Sequence, residues 1–382
     1  MRILIWSETF WPATGGVELF LERLIADLIA HGHQIEVLTS YRRADRPDDD
    51  EVGGVRVRRV PLFETLQERR PDAILRLKRT VAAMVAEFRP DVTHINMLGP
   101  GPALLLDTPA ARPSVVTLHA TFESLHSAGP DTLFGRVLRR ATWITACSHV
   151  SLEWVLRLLP EVRAKSSAIH LGVDIPPTAP SPPSFAPPRL LGVGRLVPMK
   201  GFDIAIEAMA KVRSVRPDVH LTIAGDGPER PGLEAQARAL GLSDAIAFLG
   251  WQSQADVYAL QAASSLCIMP SRNTRTEYTE GLGLVALEAA AVGRAVVGTR
   301  VGGVPEAIAD GETGLLVPPD DAAALAEAIL TLLADPERTT AMGTSARDRA
   351  RQLFDWRACS DAFHALFLRL FRGPSTPTHD DI

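Results

Sequence analysis

Short apolar runs alternate with amphipathic helical stretches along almost the whole chain. The alternation is interrupted once, at residues 175–188, where seven of fourteen residues are proline. This pattern constrains the fold most. Strands separated by helices cannot pair through tight hairpins, so they run parallel, with helices covering the sheet. A proline-dense stretch resists both helix and strand and acts as a semi-rigid spacer, which makes it the boundary between two wound α/β units. Before it, strands are expected at 2–6, 34–39, 91–96, 114–118, 142–147 and 166–170. A helix at 17–30 carries Leu21, Leu24, Ile25 and Leu28 on its apolar side, Gly32-His33 breaks it, and Ser148 caps a later helix. After it come strands at 189–193, 220–224, 245–249 and 265–269, with helices at 202–215, 233–240 and 255–263 between them. A long helical stretch from 322 onward to 371 is broken at Asp335-Pro336, and a disordered tail is expected from Gly373.

With 382 residues, 46% of them hydrophobic and 22% charged, the chain exceeds what one compact core accommodates, in agreement with two domains. A net charge of -5 gives no global reason to expect nucleic acid. Cys147, Cys267 and Cys359 are few, odd in number and far apart, so neither a disulfide framework nor a zinc site is expected, and a reducing cytoplasm fits. No window approaches the roughly 20 apolar residues of a membrane span. Residues 41–59, mixed in charge with an acidic centre and Gly53-Gly54, read as an exposed hairpin or loop without chemistry. The helix expected after Pro71 carries Arg69, Arg70, Arg76, Lys78 and Arg79 on or beside it; these form a solvated face or face anionic lipid, which leaves peripheral membrane association open.

Two stretches carry candidate chemistry. Residues 270–291 leave a short strand, pass through a polar loop and enter an alanine-rich helix that Gly293 stops. Glu280 precedes that helix and Glu288 lies inside it, while Gly281 and Gly283 leave backbone N–H groups unobstructed at its start, beside Leu282 and Leu284. Amides and helix dipole together suit an anion. Glu288 lies about one turn deeper, within reach of a sugar hydroxyl. The second stretch, Gly192-Val193-Gly194-Arg195-Leu196-Val197-Pro198-Met199-Lys200-Gly201, follows a strand and precedes a helix. It lacks the third glycine of a dinucleotide fingerprint, and no Gly-Lys-Ser/Thr phosphate loop exists in the chain. Arg195 offers a planar charged fork and Lys200 a flexible point charge, a pair suited to a diphosphate without a metal, or else a surface salt bridge. In the first half, Gly15-Gly16 ends the loop after the first strand and is either a turn or a ligand-facing loop. His119, at the carboxyl end of a strand, points toward a ligand cleft.

The ordered series Gly15-Gly16, His119, Arg195, Lys200, Gly225-Asp226-Gly227-Pro228, Glu280, Glu288 and Gly302-Gly303 resembles the retaining glycosyltransferases of the group 1 family (family four), over nearly the whole chain. The resemblance implies a GT-B fold: a Rossmann-like, acceptor-side domain (1–174), the linker (175–188), a nucleotide-sugar donor domain (189–355) and a C-terminal helix (356–372) returning to the first domain. It implies that Arg195 and Lys200 bind the donor's phosphates and that Glu288 hydrogen-bonds the ribose. Glu280 and the amides of 281–284 would hold the hexose and proximal phosphate, His119 the sugar from the other domain, and Gly16 the distal phosphate. Partners would be a nucleotide sugar and a glycan, lipid-linked or small-molecule acceptor, with no cofactor and no metal, in cytoplasmic polysaccharide or glycoconjugate synthesis. Departures from the pattern are Leu282, where an aromatic is common, Leu171, where Asn usually precedes Gly172, and a long loop at 272–279. The implied reaction is transfer with retention through a short-lived oxocarbenium-like species; Glu280 as a covalent nucleophile is an alternative. A sugar-nucleotide 2-epimerase of the same plan and a catalytically inactive binding protein are the rival functions.

Overall fold

The computed structural model describes residues 1–11, 15–40, 47–97, 99–105, 108–111, 113–120, 129–178, 181–274 and 279–373. Parts of five stretches named above therefore lie outside the described residues: 12–14, 41–46, 179–180, 275–278 and the tail 374–382. The chain divides into two compact units, one built among the described residues from Met1–His119, 129–169 and the segment from Cys359, the other from Ala120 and His170–Ala358.

The first unit runs β1 (Arg2–Ser7), α1 (Gly16–Ala30), β2 (Gln34–Thr39), β3 (Asp49–Val52), β4 (Val55–Arg59), α2 (Leu62–Glu68), α3 (Pro71–Phe88), β5 (Val92–Met97), β6 (Ser114–Leu118), α4 (Leu133–Arg140), β7 (Trp143–Ala146), α5 (His149–Leu158) and β8 (Ser166–Ala168). Its sheet has the order β3-β4-β2-β1-β5-β6-β7-β8, and every pair is parallel except β3 with β4. Ile3, Leu4, Ile5 and Trp6 of the central strand are wholly buried, as a strand covered on both faces requires. Leu21, Leu24, Ile25 and Leu28 of α1 are buried as their spacing predicts. Ser148 caps α5 by accepting the Ser151 amide.

The described part of 41–59 is a hairpin whose first strand and turn are largely exposed, as expected, but whose second strand is largely buried. β4 pairs in parallel with β2, and the Arg58 and Arg59 side chains are buried. Arg58 is tied to Glu36 at 3.3 Å and Glu87 at 2.7 Å, and Arg59 to Asp50 at 3.5 Å. Carboxylates facing the guanidinium groups offset the cost of burying them, so a charge-rich strand sits inside a sheet.

The second unit comprises β9 (Arg189–Val193), α6 (Phe202–Val215), β10 (His220–Ala224), α7 (Arg230–Ala239), β11 (Ile246–Gly250), α8 (Gln254–Ala263), β12 (Leu266–Met269), α9 (Leu284–Ala291), β13 (Val296–Thr299), α10 (Val304–Ala307), β14 (Gly314–Val317), α11 (Ala322–Ala334) and α12 (Pro336–Leu353). Its strands are all parallel in the order β11-β10-β9-β12-β13-β14, which counted from β9 is the doubly wound order 3-2-1-4-5-6. The proline-rich stretch lies along this unit. Arg347 donates to the Pro176 carbonyl, Arg294 to Ser181 and Ser265 to Ser184, while Phe185 packs against the core.

The long terminal helical stretch has two breaks. Asp335 caps α12 at the expected one. At the second, Phe354 is buried and Val173 bonds to both sides of it, accepting from Trp356 and donating to Phe354. The chain restarts as α13 (Trp356–Arg372), whose segment from Cys359 belongs to the first unit. There Phe363 and Phe367, fully buried, face the His94 ring at 5.4 and 5.3 Å.

Candidate active site

In the second unit, β9 lies between β10 and β12, so successive crossovers leave it in opposite directions. Loops at the carboxyl ends of two such strands diverge and leave a crevice, where ligands of this architecture bind. The two stretches singled out from sequence follow these two strands. Arg195 is exposed, whereas Lys200 is partly buried and its ammonium bonds the Glu280 carboxylate across the crevice. Ser271 donates a second hydrogen bond to the same Glu280 oxygen at 2.9 Å. Glu280 is only 8% exposed. Burial by itself raises its pKa, but the Lys200 charge, the hydrogen bonds from Lys200 and Ser271 and the Arg195 charge outweigh it, so the carboxyl is held below its ordinary range.

Gly283, in the left-handed region at φ 90°, turns the chain into α9; the Ala286 and Leu287 amides bond back to its carbonyl at 2.9 and 3.3 Å, and no side chain caps the helix. Leu282 is buried and Leu284 half-buried. One turn further, the half-buried Glu288 accepts a hydrogen bond from Gln254, the first residue of α8, at 2.9 Å. Arg195, Lys200, Glu280, the 281–284 turn and Glu288 are thus gathered along one edge of one sheet.

Two further glycine motifs support this edge from behind. A Cβ on Gly225 would lie 1.9 Å from the Gly194 carbonyl oxygen, and one on Gly303 would lie 2.1 Å from that of Gly281. Any side chain at either position would push out the loop carrying Arg195 or the one carrying Glu280. Leu196 and Asp226, and Gly303 and Glu280, are joined by backbone hydrogen bonds of 2.9 Å.

In the first unit, β1 sits between β2 and β5, the corresponding reversal point. Gly15 precedes α1 in extended conformation and Gly16 opens it; no side chain caps this helix either. Phe20, one turn along α1, meets the His119 ring at 5.3 Å. His119 follows β6 and is 8% exposed. Its Nε2 lies 2.7 Å from Asn96 Oδ1, at the end of the neighbouring strand β5. Burial lowers its pKa to about 4, so the imidazole is neutral at pH 7.

Sequence reasoning missed Ser271, Gln254 and Asn96. Asn96 was the most accessible of them, since adjacent parallel strands that end together bring its side chain beside His119. Ser271 and Gln254 have no comparable signal, because their pairing depends on how loops and helices pack.

Comparison with known proteins identifies the family. The family description "Glycosyl transferases group 1" matches residues 182–349, and "Glycosyltransferase Family 4" matches residues 14–175. A glycogen synthase of Mycobacterium tuberculosis is 31% identical over 99% of this chain and 97% of its own. A GDP-mannose-dependent alpha-(1-6)-phosphatidylinositol monomannoside mannosyltransferase of Mycolicibacterium smegmatis is 30% identical over 93% and 95%. Among solved structures, sucrose-phosphate synthase from Thermosynechococcus elongatus superposes with a TM-score of 0.82 at 26% identity, covering 97% of this chain and 99% of that one. HepE of Anabaena in complex with UDP and glucose gives 0.77 at 23% identity, over 97% and 100%, a likeness of fold. The chain belongs to the group 1, family 4 glycosyltransferases, and is a hexosyltransferase of GT-B fold.

Proposed function

We propose that this protein transfers a hexosyl group, with retention of anomeric configuration, from a nucleotide sugar to a glycan, lipid-linked or small-molecule acceptor in glycoconjugate or polysaccharide synthesis. The observation that carries the reading is the convergence of Arg195, the Lys200–Glu280 pair and the uncapped start of α9 on the reversal point of the second sheet. Those groups suit one diphosphate, with Glu288 one turn deeper for the ribose. The named relatives include an enzyme that is GDP-mannose-dependent and a fold neighbour crystallised with UDP and glucose, both in keeping with a nucleotide-sugar donor.

The chemistry follows from charge. As the bond from the anomeric carbon to the phosphate breaks, negative charge develops on the departing diphosphate. Arg195, Lys200 and the helix amides are fixed donors for it. In the ligand-free enzyme Lys200 neutralises Glu280; an arriving phosphate competes for the ammonium and leaves the carboxylate to accept hydrogen bonds from sugar hydroxyls. Protein cations serve here in place of a divalent ion. The acidic run Asp49-Asp50 is already engaged by Arg56 and Arg59.

A cytoplasmic enzyme resting on an anionic membrane is consistent with the surface of the first unit. Phe63 and Leu75, 46% and 53% exposed on α2 and α3, lie in the same stretch of chain as the exposed Arg69, Arg70, Arg76 and Arg79, of which Arg70 and Arg76 bond Asp72. No helix among the described residues is long and apolar enough to cross a membrane.

The test is release of nucleoside diphosphate from a panel of nucleotide sugars with and without acceptors, with the product's anomeric configuration read by NMR. Release should depend on acceptor, survive EDTA and fall ~10²-fold or more in Arg195→Ala, the scale for losing one preorganised donor. An inverted product, or activity abolished by EDTA and restored by magnesium or manganese, would overturn the reading.

A further inference from the structure

Asn96 and His119 form a device whose polarity can be worked out atom by atom. Asn96 is wholly buried, and its side-chain amide spans two groups: the main-chain carbonyl of Trp6 at 3.5 Å and His119 Nε2 at 2.7 Å. A carbonyl can only accept. The Asn96 nitrogen therefore faces Trp6, its oxygen faces His119, and Nε2 must carry the proton that bonds to that oxygen. The neutral ring then has no proton on Nδ1, which is buried and has no hydrogen-bond partner among the described residues. An unmet buried acceptor is costly and rare in folded proteins, and sites that keep one commonly use it for a ligand.

We infer that Asn96 is a positioning residue that holds His119 as the neutral Nε2–H tautomer, so that Nδ1 presents a lone pair and the ligand group that meets it is a hydrogen-bond donor, a sugar hydroxyl. The assignment of the sugar rests on the transferase reading proposed above; the tautomer does not. A phosphate oxygen, which carries no proton at neutral pH, cannot satisfy Nδ1. The surroundings keep the ring neutral. Phe20 covers it from α1, and among the described residues the titratable group facing it is His94 on β5, itself wholly buried with its pKa lowered to about 3 by burial and by His119. Burial likewise lowers His119 to about 4.

Two-bond proton–nitrogen NMR correlation on the 15N-labelled full-length protein at pH 7 reads the tautomer directly, with the His119 signals assigned by their loss in His119→Gln. The expected pattern is a protonated Nε2 and a bare Nδ1. A protonated Nδ1, or an imidazolium, overturns the inference whatever the protein's activity. Adding UDP-glucose or GDP-mannose should shift the Nδ1 resonance toward that of a hydrogen-bonded acceptor, whereas UDP or GDP alone should not. An equal shift with the bare diphosphates refutes the hydroxyl assignment. If neither nucleotide sugar binds, the donor reading is what fails, and the free-protein spectrum still decides the tautomer.

Asn96→Asp supplies the readout that a purely structural role would not move. A carboxylate against Nε2–H favours the cation and raises the His119 pKa. Transfer should then be lost as pH falls through that raised value, at a pH where the native enzyme is unaffected, with kcat reduced and nucleoside diphosphate affinity retained. A folded Asn96→Asp with the native pH profile would refute the positioning role; if the variant does not fold, the native spectrum remains decisive.

Discussion

Replacing Lys200 by Ala separates the two things that residue does. In the free enzyme its ammonium bonds Glu280, a carboxylate 8% exposed, while the Lys200 side chain is itself 17% exposed. Removing one partner of a buried pair typically costs about 3–5 kcal/mol, because the other charge is left without compensation. Here Ser271 still donates to Glu280 and the Arg195 charge remains nearby, so the cost falls at or below the low end, about 2–3 kcal/mol. For a folding unit of about 150–250 residues each kcal/mol moves Tm by ~2–4 °C, so the ligand-free variant should melt roughly 5–10 °C lower at pH 7. The pH dependence gives the mechanism away. Glu280's pKa is depressed in the native fold, so it contributes stability above its unfolded pKa, and that contribution is lost as pH falls through the folded value. In Lys200→Ala burial acts with less opposition, the carboxyl takes up a proton more readily, and the gap to the native enzyme narrows in acid. Differential scanning calorimetry from pH 8 to pH 4 measures both effects, and Lys200→Met with Glu280→Gln should recover much of the loss by removing both charges. A Lys200→Ala protein that melts within about 1 °C of native at pH 7, or a gap independent of pH, would refute this account of the pair.

Glu288→Ala should weaken donor binding by about 1.5–3 kcal/mol, roughly 10- to 150-fold, while α9 survives because Ala is a good helix former; calorimetric titration of a folded variant with unchanged donor affinity would remove Glu288 from the site. Gln254 then loses its partner too, so Gln254→Ala should give a smaller loss in the same direction. For the membrane surface, Phe63→Ser with Leu75→Ser should abolish co-sedimentation with phosphatidylglycerol vesicles. Native binding should fall with added salt, since cations flank those apolar groups in sequence; equal binding of native protein to neutral vesicles, or no binding to either, counts against membrane docking.

Local periodicity determined a good deal of this protein. Strands β6, β9 and β10 and helix α6 begin and end where the apolar pattern and the glycines place them, because propensity, patterning and caps agree there. The stretches around Arg195–Lys200 and Glu280–Glu288 were legible for the same reason, since a loop after a strand and before a helix is placed at a sheet edge by chain order alone. Tertiary structure decided what those residues touch. That Lys200 bonds Glu280, residues 80 apart in sequence, depends on β9 and β12 becoming neighbours, a pairing no local pattern encodes. The same holds for Asn96 against His119, and for the hairpin of β3 and β4, where charge suggested solvent and carboxylates on other elements instead allowed arginines to be buried. The restart of the chain at Phe354, where helical periodicity runs on, was set by the burial of one phenylalanine and by the backbone of Val173 on a segment far away in sequence. Local spacing fixes which face a side chain occupies, whereas its charge state and hydrogen-bond polarity depend on groups brought to it by the fold, and desolvation acts only once those groups have closed around it.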